Sequence, residues 1–229
     1  LDNFLFNDLW VPNQGYYGAA PLIMGTVLVT LGAMIIAIPL GIATAIFITE
    51  LAPKRVARYL KLAVEILSGI PSIVFGYFGA AILTAFIEDF FQVDTGYSWL
   101  AGSIILAIMA LPTIVSVCED ALTNVPRIYK EASLGLGATQ WQTISKVQDP
   151  AAISGITAGI ILGIGRAIGE TMAVLVVTGG KAIIPNPITD IFSGIKPITA
   201  AIAIELGEAS GLHESALFAL GIILFLITL

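Results

Sequence analysis

Arg166 and Glu170 stand four residues apart inside an otherwise apolar run, residues 151–178. On a continuous helix that spacing puts both side chains on one face. Arg166 is fifteen residues into the run, which at about 1.5 Å per residue carries it roughly 22 Å along the helix, near the middle of a bilayer. A guanidinium at that depth costs about 2.5–3.5 kcal/mol on insertion scales, so a partner or a purpose must offset it. Two readings follow. Either Arg166 and Glu170 neutralise one another and lock a helix bundle, or Arg166 meets an anion crossing the membrane while Glu170 orients it or competes for it. Ser68 and Ser72 flank Pro71 in a second apolar run and offer hydroxyl donors, although serine in such helices also bonds its own backbone. Gly159, Gly163, Gly165 and Gly169 surround the charged pair, a spacing that suits close helix packing.

A second kind of chemistry is written into EASLGLGATQWQTISKVQDP, residues 131–150, a polar stretch between two very apolar ones. It opens on Glu131, Ala132 and Ser133, reaches Gly135, Gly137 and Ala138 within a turn or two, and closes on Pro150. Gly137 permits a turn or a close approach. No Walker-type phosphate loop occurs anywhere, so ATP hydrolysis by that route is absent and any such energy must come from a partner. His213 is the single histidine, and no metal site is expected. Cys118 is the single cysteine, which excludes a disulfide within the chain.

The elements that must position these residues follow from composition. Apolar residues make up 57% of the 229 and charged ones only 11%, with mean hydropathy +0.96, a balance that belongs in a bilayer rather than in water. Five stretches reach the ~20 residues that a spanning helix needs, or approach it: roughly 22–51, 62–87, 100–118, 151–178 and 213–229. No period-two alternation appears, and open sheets do not span lipid, so the spans are helical. Seven of the ten basic residues fall in two places: Lys54, Arg55, Arg58 and Lys61 between the first two spans, and Arg127, Lys130 and Lys146 between the third and fourth. The positive-inside rule makes both cytoplasmic and leaves 179–212 as an external loop. The net charge of −6 says little about nucleic acid, because most of the bases fall in these two segments.

Pro39, Pro71 and Pro112 are expected to mark helix breaks. Pro-Ser/Thr-Ile-Val occurs in both the second and third spans, as an inverted repeat would give and as two ordinary kinks would also give. Lys61 and Glu65 are one turn apart and read as an interfacial ion pair. Glu50, Glu119 and Asp120 fall near helix ends, within reach of water. Leu1 and Leu229 read as trimmed ends, with a sixth span expected ahead of the first.

The 131–150 segment resembles the EAA loop of ABC importer permeases. GIGRAIGETMAVLVV at 163–177, GIPSIVFG at 69–76 and IAIELGEASGLHESALFALGIILFLITL at 202–229 are similar to phosphate-specific ABC importer permeases, the Gly-Glu-Thr-Met-Ala form resembling the PstC type more than its PstA-type sister. The resemblance covers nearly the whole chain. Its one departure is Gln148 and Asp149, where the family usually has apolar residues before the proline.

This resemblance implies an all-α, polytopic helical bundle with the type I ABC importer permease (MetI-like) fold, in a single domain over 1–229. It implies a permease for inorganic phosphate in the plasma membrane, with no enzyme activity and no cofactor of its own. The implied partners are a second, PstA-like permease, two ATPase subunits carrying ATP and Mg, and an external phosphate-binding protein. Arg166, Glu170, Thr171, Ser68 and Ser72 would line the substrate path. Glu131, Ala132, Gly135, Gly137 and Ala138, within a cytoplasmic coupling segment over 127–150, would meet the ATPase. Three alternatives stay open: a permease for another oxyanion, an ATPase-independent secondary anion transporter, and a membrane scaffold that moves no solute.

Overall fold

A computed structural model describes residues 2–229. The chain is mostly helical. Among the described residues three helices are long and apolar enough to cross a membrane: α2 (Ala20–Leu51), α4 (Ser72–Phe91) and α5 (Trp99–Thr123). A bent pair, α7 (Gln140–Ala151) and α8 (Ile153–Gly169), turns by 71° and passes the same test as one broken span. Between or beyond these run α1 (Asp2–Leu5), α3 (Lys54–Gly69), α6 (Arg127–Gly135), α9 (Met172–Val177), α10 (Ile198–Glu205) and α11 (Leu212–Thr228).

The prolines behave unequally. Pro39 and Pro112 lie inside continuous helices, where a single lost hydrogen bond is tolerated because the neighbouring turns remain bonded and packed. Pro71 alone of the three coincides with a break, so the apolar run expected as one span over 62–87 is divided between α3 and α4. Ile70 there is extended (φ −74°, ψ 128°), because a residue before proline is pushed out of the helical region. The four bases expected between spans accordingly belong to the helical element Lys54–Gly69. Wider π-type turns interrupt the regular geometry at Phe47–Leu51, Gly79–Leu83 and Ile144–Gln148.

The chain divides into two compact units. The first comprises Leu1–Met34, Pro71–Ala107 and Gly165–Leu229. Its core gathers Trp10, Leu22, Ile198, Ala201, Leu217 and Leu220, all buried. A two-residue antiparallel hairpin, β1 (Trp10–Val11) with β2 (Tyr16–Tyr17), pairs Trp10 with Tyr17 and delivers the indole to that core. α4 packs closely on α9. A Cβ added at Gly76 would stand 3.2 Å from Ala173 Cα, so a larger residue would have to push the two backbones apart by a few tenths of an ångström, and glycine allows their close approach.

The segment expected as an external loop, 179–212, contains α10, whose Ile198, Thr199, Ala200 and Ala201 are buried. At the end of that helix the Glu205 carboxylate accepts from Trp10 Nε1 at 3.0 and 3.2 Å, lies 2.9 Å from His213 Nε2, and pairs with Lys196. Burial pushes this carboxyl up, but the bonds from Lys196, His213 and Trp10, with the Lys196 charge, outweigh burial and hold it below its ordinary value.

The second unit comprises Ile35–Ile70 and Ile108–Ile164. Gly155, Gly159 and Gly163 recur every fourth residue along α8 and face α5: an added Cβ would stand 2.4 Å from Ala121 Cβ, 3.1 Å from Cys118 Sγ and 2.6 Å from Ile114 Cγ1 in turn. This is the small-residue stripe by which helices approach one another in lipid. Gly165 and Gly169 face open space instead, so the close packing expected of all four glycines holds for the first two. Lys61 pairs with Glu119 at 2.5 Å rather than with Glu65 one turn away. Glu119, expected within reach of water, has its side chain only 14% exposed.

Candidate functional site: an unpaired arginine and a tethered polar segment

Arg166 occupies the last turn of α8 and is exposed. Among the described residues its guanidinium has no ion pair and no hydrogen bond. The expectation that Glu170 shares its helix face does not hold, because α8 ends at Gly169 and a new helix begins at Met172. The physical reason lies in the side chains at the junction. Glu170 Oε1 accepts from the amides of Thr171 (3.1 Å) and Ala173 (3.4 Å), satisfying donors at the start of α9 that have no partner within that helix. Thr171, at φ −118° and ψ −58°, turns its hydroxyl towards Gly169 O at 3.4 Å. Thr199 Oγ1 donates to Glu170 O at 2.8 Å and anchors the junction to α10. Glu170, one residue before the N-cap position, thus satisfies amides at the start of α9, and Arg166 is left with an open face.

The other residues expected on the path fall differently. Ser72 opens α4 and is half-buried. Ser68 is exposed and donates to Glu65 O at 2.7 Å, the backbone bond that serine in helices commonly makes.

The polar segment is built as a helix, a glycine turn and a second helix. Arg127–Gly135 forms α6, in which Glu131, Ala132 and Gly135 are exposed. Gly137 has φ +86° with nothing within 4 Å of an added Cβ, so backbone conformation rather than crowding selects glycine there. Ala138 N donates to Ser133 O at 3.2 Å and closes the turn. Thr139 and Gln142 then form a reciprocal capping box at the start of α7. Ile128, Leu134, Leu136 and Trp141 expose large apolar surface, Leu136 to 90%. Such a concentration on a short polar segment marks a contact surface.

Glu50, expected to reach water, is instead nearly buried, its side chain 8% exposed. Lys130 Nζ contacts Glu50 Oε2 at 2.5 Å, Gln148 Nε2 donates to Glu50 Oε1 at 2.7 Å, and Gln140 Nε2 donates to Glu50 O at 2.9 Å. Glu50, Lys130 and Gln148 border a cavity of about 450 Å³ that Arg127, Glu131 and Leu134 also line. Sequence reasoning passed over Glu50 and Gln148 as a pair, since 98 residues separate them. The one available signal was a glutamine standing where an apolar residue is usual.

Comparison with known proteins bears on both parts. The chain is 40% identical to the phosphate transport system permease protein PstC of Pasteurella multocida (strain Pm70), over 99% of this chain and 76% of that protein. It is 37% identical to the PstC of Haemophilus influenzae (strain ATCC 51907 / DSM 11121 / KW20 / Rd), over 99% and 77%. It is 39% identical to the probable ABC transporter permease protein YqgH of Bacillus subtilis (strain 168), over 98% and 73%. In fold it is similar to a chain of an inward-facing MetNI methionine ABC transporter, with TM-score 0.61 and 22% identity over 89% of this chain and 86% of that one. Residues 37–229, which hold the tethered polar segment and the arginine-bearing helix alike, match one family throughout, and the chain belongs to the binding-protein-dependent transport system inner membrane components.

Proposed function

We propose that this chain is the transmembrane permease subunit of an ATP-driven ABC importer that moves inorganic phosphate across the plasma membrane. The observation that carries the reading is Arg166, an exposed guanidinium on an apolar helix with no counter-charge among the described residues, in a chain similar over nearly its whole length to phosphate transport permeases. An unpaired arginine at membrane depth needs water, a carboxylate from a partner or a passing anion to offset its desolvation. Phosphate suits it, because guanidinium donors match phosphate oxygens in pairs.

The partners are a related, PstA-like permease that completes the pathway, two ATPase subunits that hold ATP and Mg, and an external phosphate-binding protein. This chain itself hydrolyses nothing. Residues 127–150 face the cytoplasm, with Glu131, Ala132, Gly135, Gly137 and Ala138 against the ATPase. Closure of the ATPases moves this segment, and rocking of the two permeases turns the pathway from one side to the other. Released phosphate then passes Arg166, with Thr171 and Ser72 supplying hydroxyls and Glu170 holding the junction.

The test is uptake of radiolabelled phosphate by proteoliposomes containing the co-expressed complex, with ATP supplied on the side of residues 127–150. Uptake that depends on ATP and is not matched by sulfate is expected. Equal uptake without the ATPase would identify a secondary anion transporter, and absence of any solute flux would leave a scaffold.

A further inference from the structure

The contacts of Glu50 join three pieces of chain within the second unit. Glu50 lies in the π-type turn Phe47–Leu51 that ends α2. Lys130 belongs to α6, while Gln140 opens α7 and Gln148 closes its π-type turn, Ile144–Gln148. Both carboxylate oxygens are used, one by an ammonium and one by an amide, and the backbone carbonyl is used by a third side chain. Gln148 is 4% exposed, and Glu50 is nearly as deeply covered. A buried carboxylate with this set of donors holds its neighbours in one geometry, because moving any of them leaves a charge or an amide unpaired in a poorly solvated place. Both wide turns fall where the contacts are made, and such turns redirect side chains by opening the regular helical ladder.

We propose that Glu50 is a positioning residue for energy coupling: through Lys130, Gln140 and Gln148 it ties the exposed 127–143 segment to the end of α2 and to the start of the α7–α8 span, so that displacement of this segment by the ATPase is passed to both. The inference rests on the importer function proposed above. It assigns to Gln148, the departure from the usual apolar residue, the task of filling the second oxygen of the carboxylate. Glu131 and Gly137 form the contact surface, and Glu50 fastens that surface to the membrane helices. Glu50→Gln removes the charge that holds Lys130 while keeping the shape. In Glu50→Lys with Lys130→Glu the ion pair is reversed, and the Gln148 amide can turn its oxygen towards the new ammonium.

Two measurements on the purified complex test this. Hydrogen–deuterium exchange of residues 127–143 needs no transport and reads the fastening directly. Phosphate moved per ATP hydrolysed reads the coupling. For Glu50→Gln the expectation is faster exchange confined to 127–143, an ATPase that still copurifies and hydrolyses ATP, and about a tenfold lower transport ratio, equivalent to roughly 1.4 kcal/mol of coupling. The charge-reversed double variant should recover both readouts. Unchanged exchange in Glu50→Gln would overturn the fastening, as would loss of the ATPase from the complex, since Glu50 would then maintain the docking fold. An unchanged ratio with faster exchange would overturn the coupling role. If the unaltered complex moves no phosphate, it is the importer function that fails, and the exchange measurement still decides the fastening.

Discussion

The Glu170 carboxylate accepts from the Ala173 amide, three residues ahead of it at 3.4 Å, and makes no ion pair with Arg166, four residues behind. This relationship separates the two readings of the charged pair. A self-neutralising pair requires both side chains on one helical face, and the helix ends between them at Gly169. Glu170 does structural work at a junction, which frees Arg166 for whatever covers its open face in the assembled transporter.

Substitution should therefore affect the two residues differently. Arg166→Gln is expected to lower phosphate uptake about ten- to a hundredfold, the equivalent of losing one charged hydrogen bond worth roughly 1.5–3 kcal/mol, with the subunit still assembled. Glu170→Gln keeps an acceptor oxygen and should change stability little, whereas Glu170→Ala removes the cap at a cost of about 0.5–2 kcal/mol. Melting in detergent and uptake in proteoliposomes distinguish these effects. Restored uptake in an Arg166→Leu, Glu170→Leu double variant would contradict the path assignment.

Gly137 offers a graded test of the contact surface. Gly137→Ala adds a methyl group into open space at φ +86°, so only the left-handed backbone resists it, by about 1–2 kcal/mol. Gly137→Arg adds the same strain and a long side chain on the exposed turn. The alanine variant should retain most transport, and the arginine variant should lose it while remaining in the membrane at parental level. Equal transport by both would remove the turn from the ATPase contact.

The Glu205 cluster predicts an acid-sensitive first unit. Its carboxyl is held below the ordinary value in the folded chain, so the stability it contributes is present above the unfolded glutamate pKa of about 4.3 and is lost as pH falls through the folded value. Melting of the detergent-solubilised chain followed from pH 7 downward should show a steeper acid decline than that of Glu205→Gln. Parallel curves would show that the Lys196, His213 and Trp10 contacts carry no linked proton.

Sidedness can be read with single cysteines in a Cys118→Ser background. Cys118 is buried, with Sγ 3.9 Å from Ile156 O, and a serine hydroxyl can donate to the same carbonyl. Cysteines at Arg58 and Gln142 should resist an impermeant thiol reagent applied outside intact cells, while those at Asp94 and Asn186 should react. Labelling of Gln142→Cys from outside would reverse the orientation.

Features that depend on composition and local order can be read from the residues alone. Long apolar runs dictate membrane helices because no other open backbone arrangement satisfies its polar groups in lipid. The Gly137 turn, close packing at Gly159 and Gly163, and the absence of a nucleotide loop were legible from residue type and spacing, whereas the part played by Gly155 and the open surroundings of Gly165 and Gly169 were not. The family's sequence blocks were legible in the same way. The tertiary structure decided which partners each polar group takes. Pro39 and Pro112 stay helical while Pro71 breaks; Lys61 chooses Glu119 over Glu65; Glu170 chooses its own following turn over Arg166. Glu50 meets Lys130 and Gln148 from 80 and 98 residues away. Helical periodicity constrains neighbours within a turn or two. A buried carboxylate takes its donors from whatever chain segments packing brings beside it, and that is set by the fold as a whole.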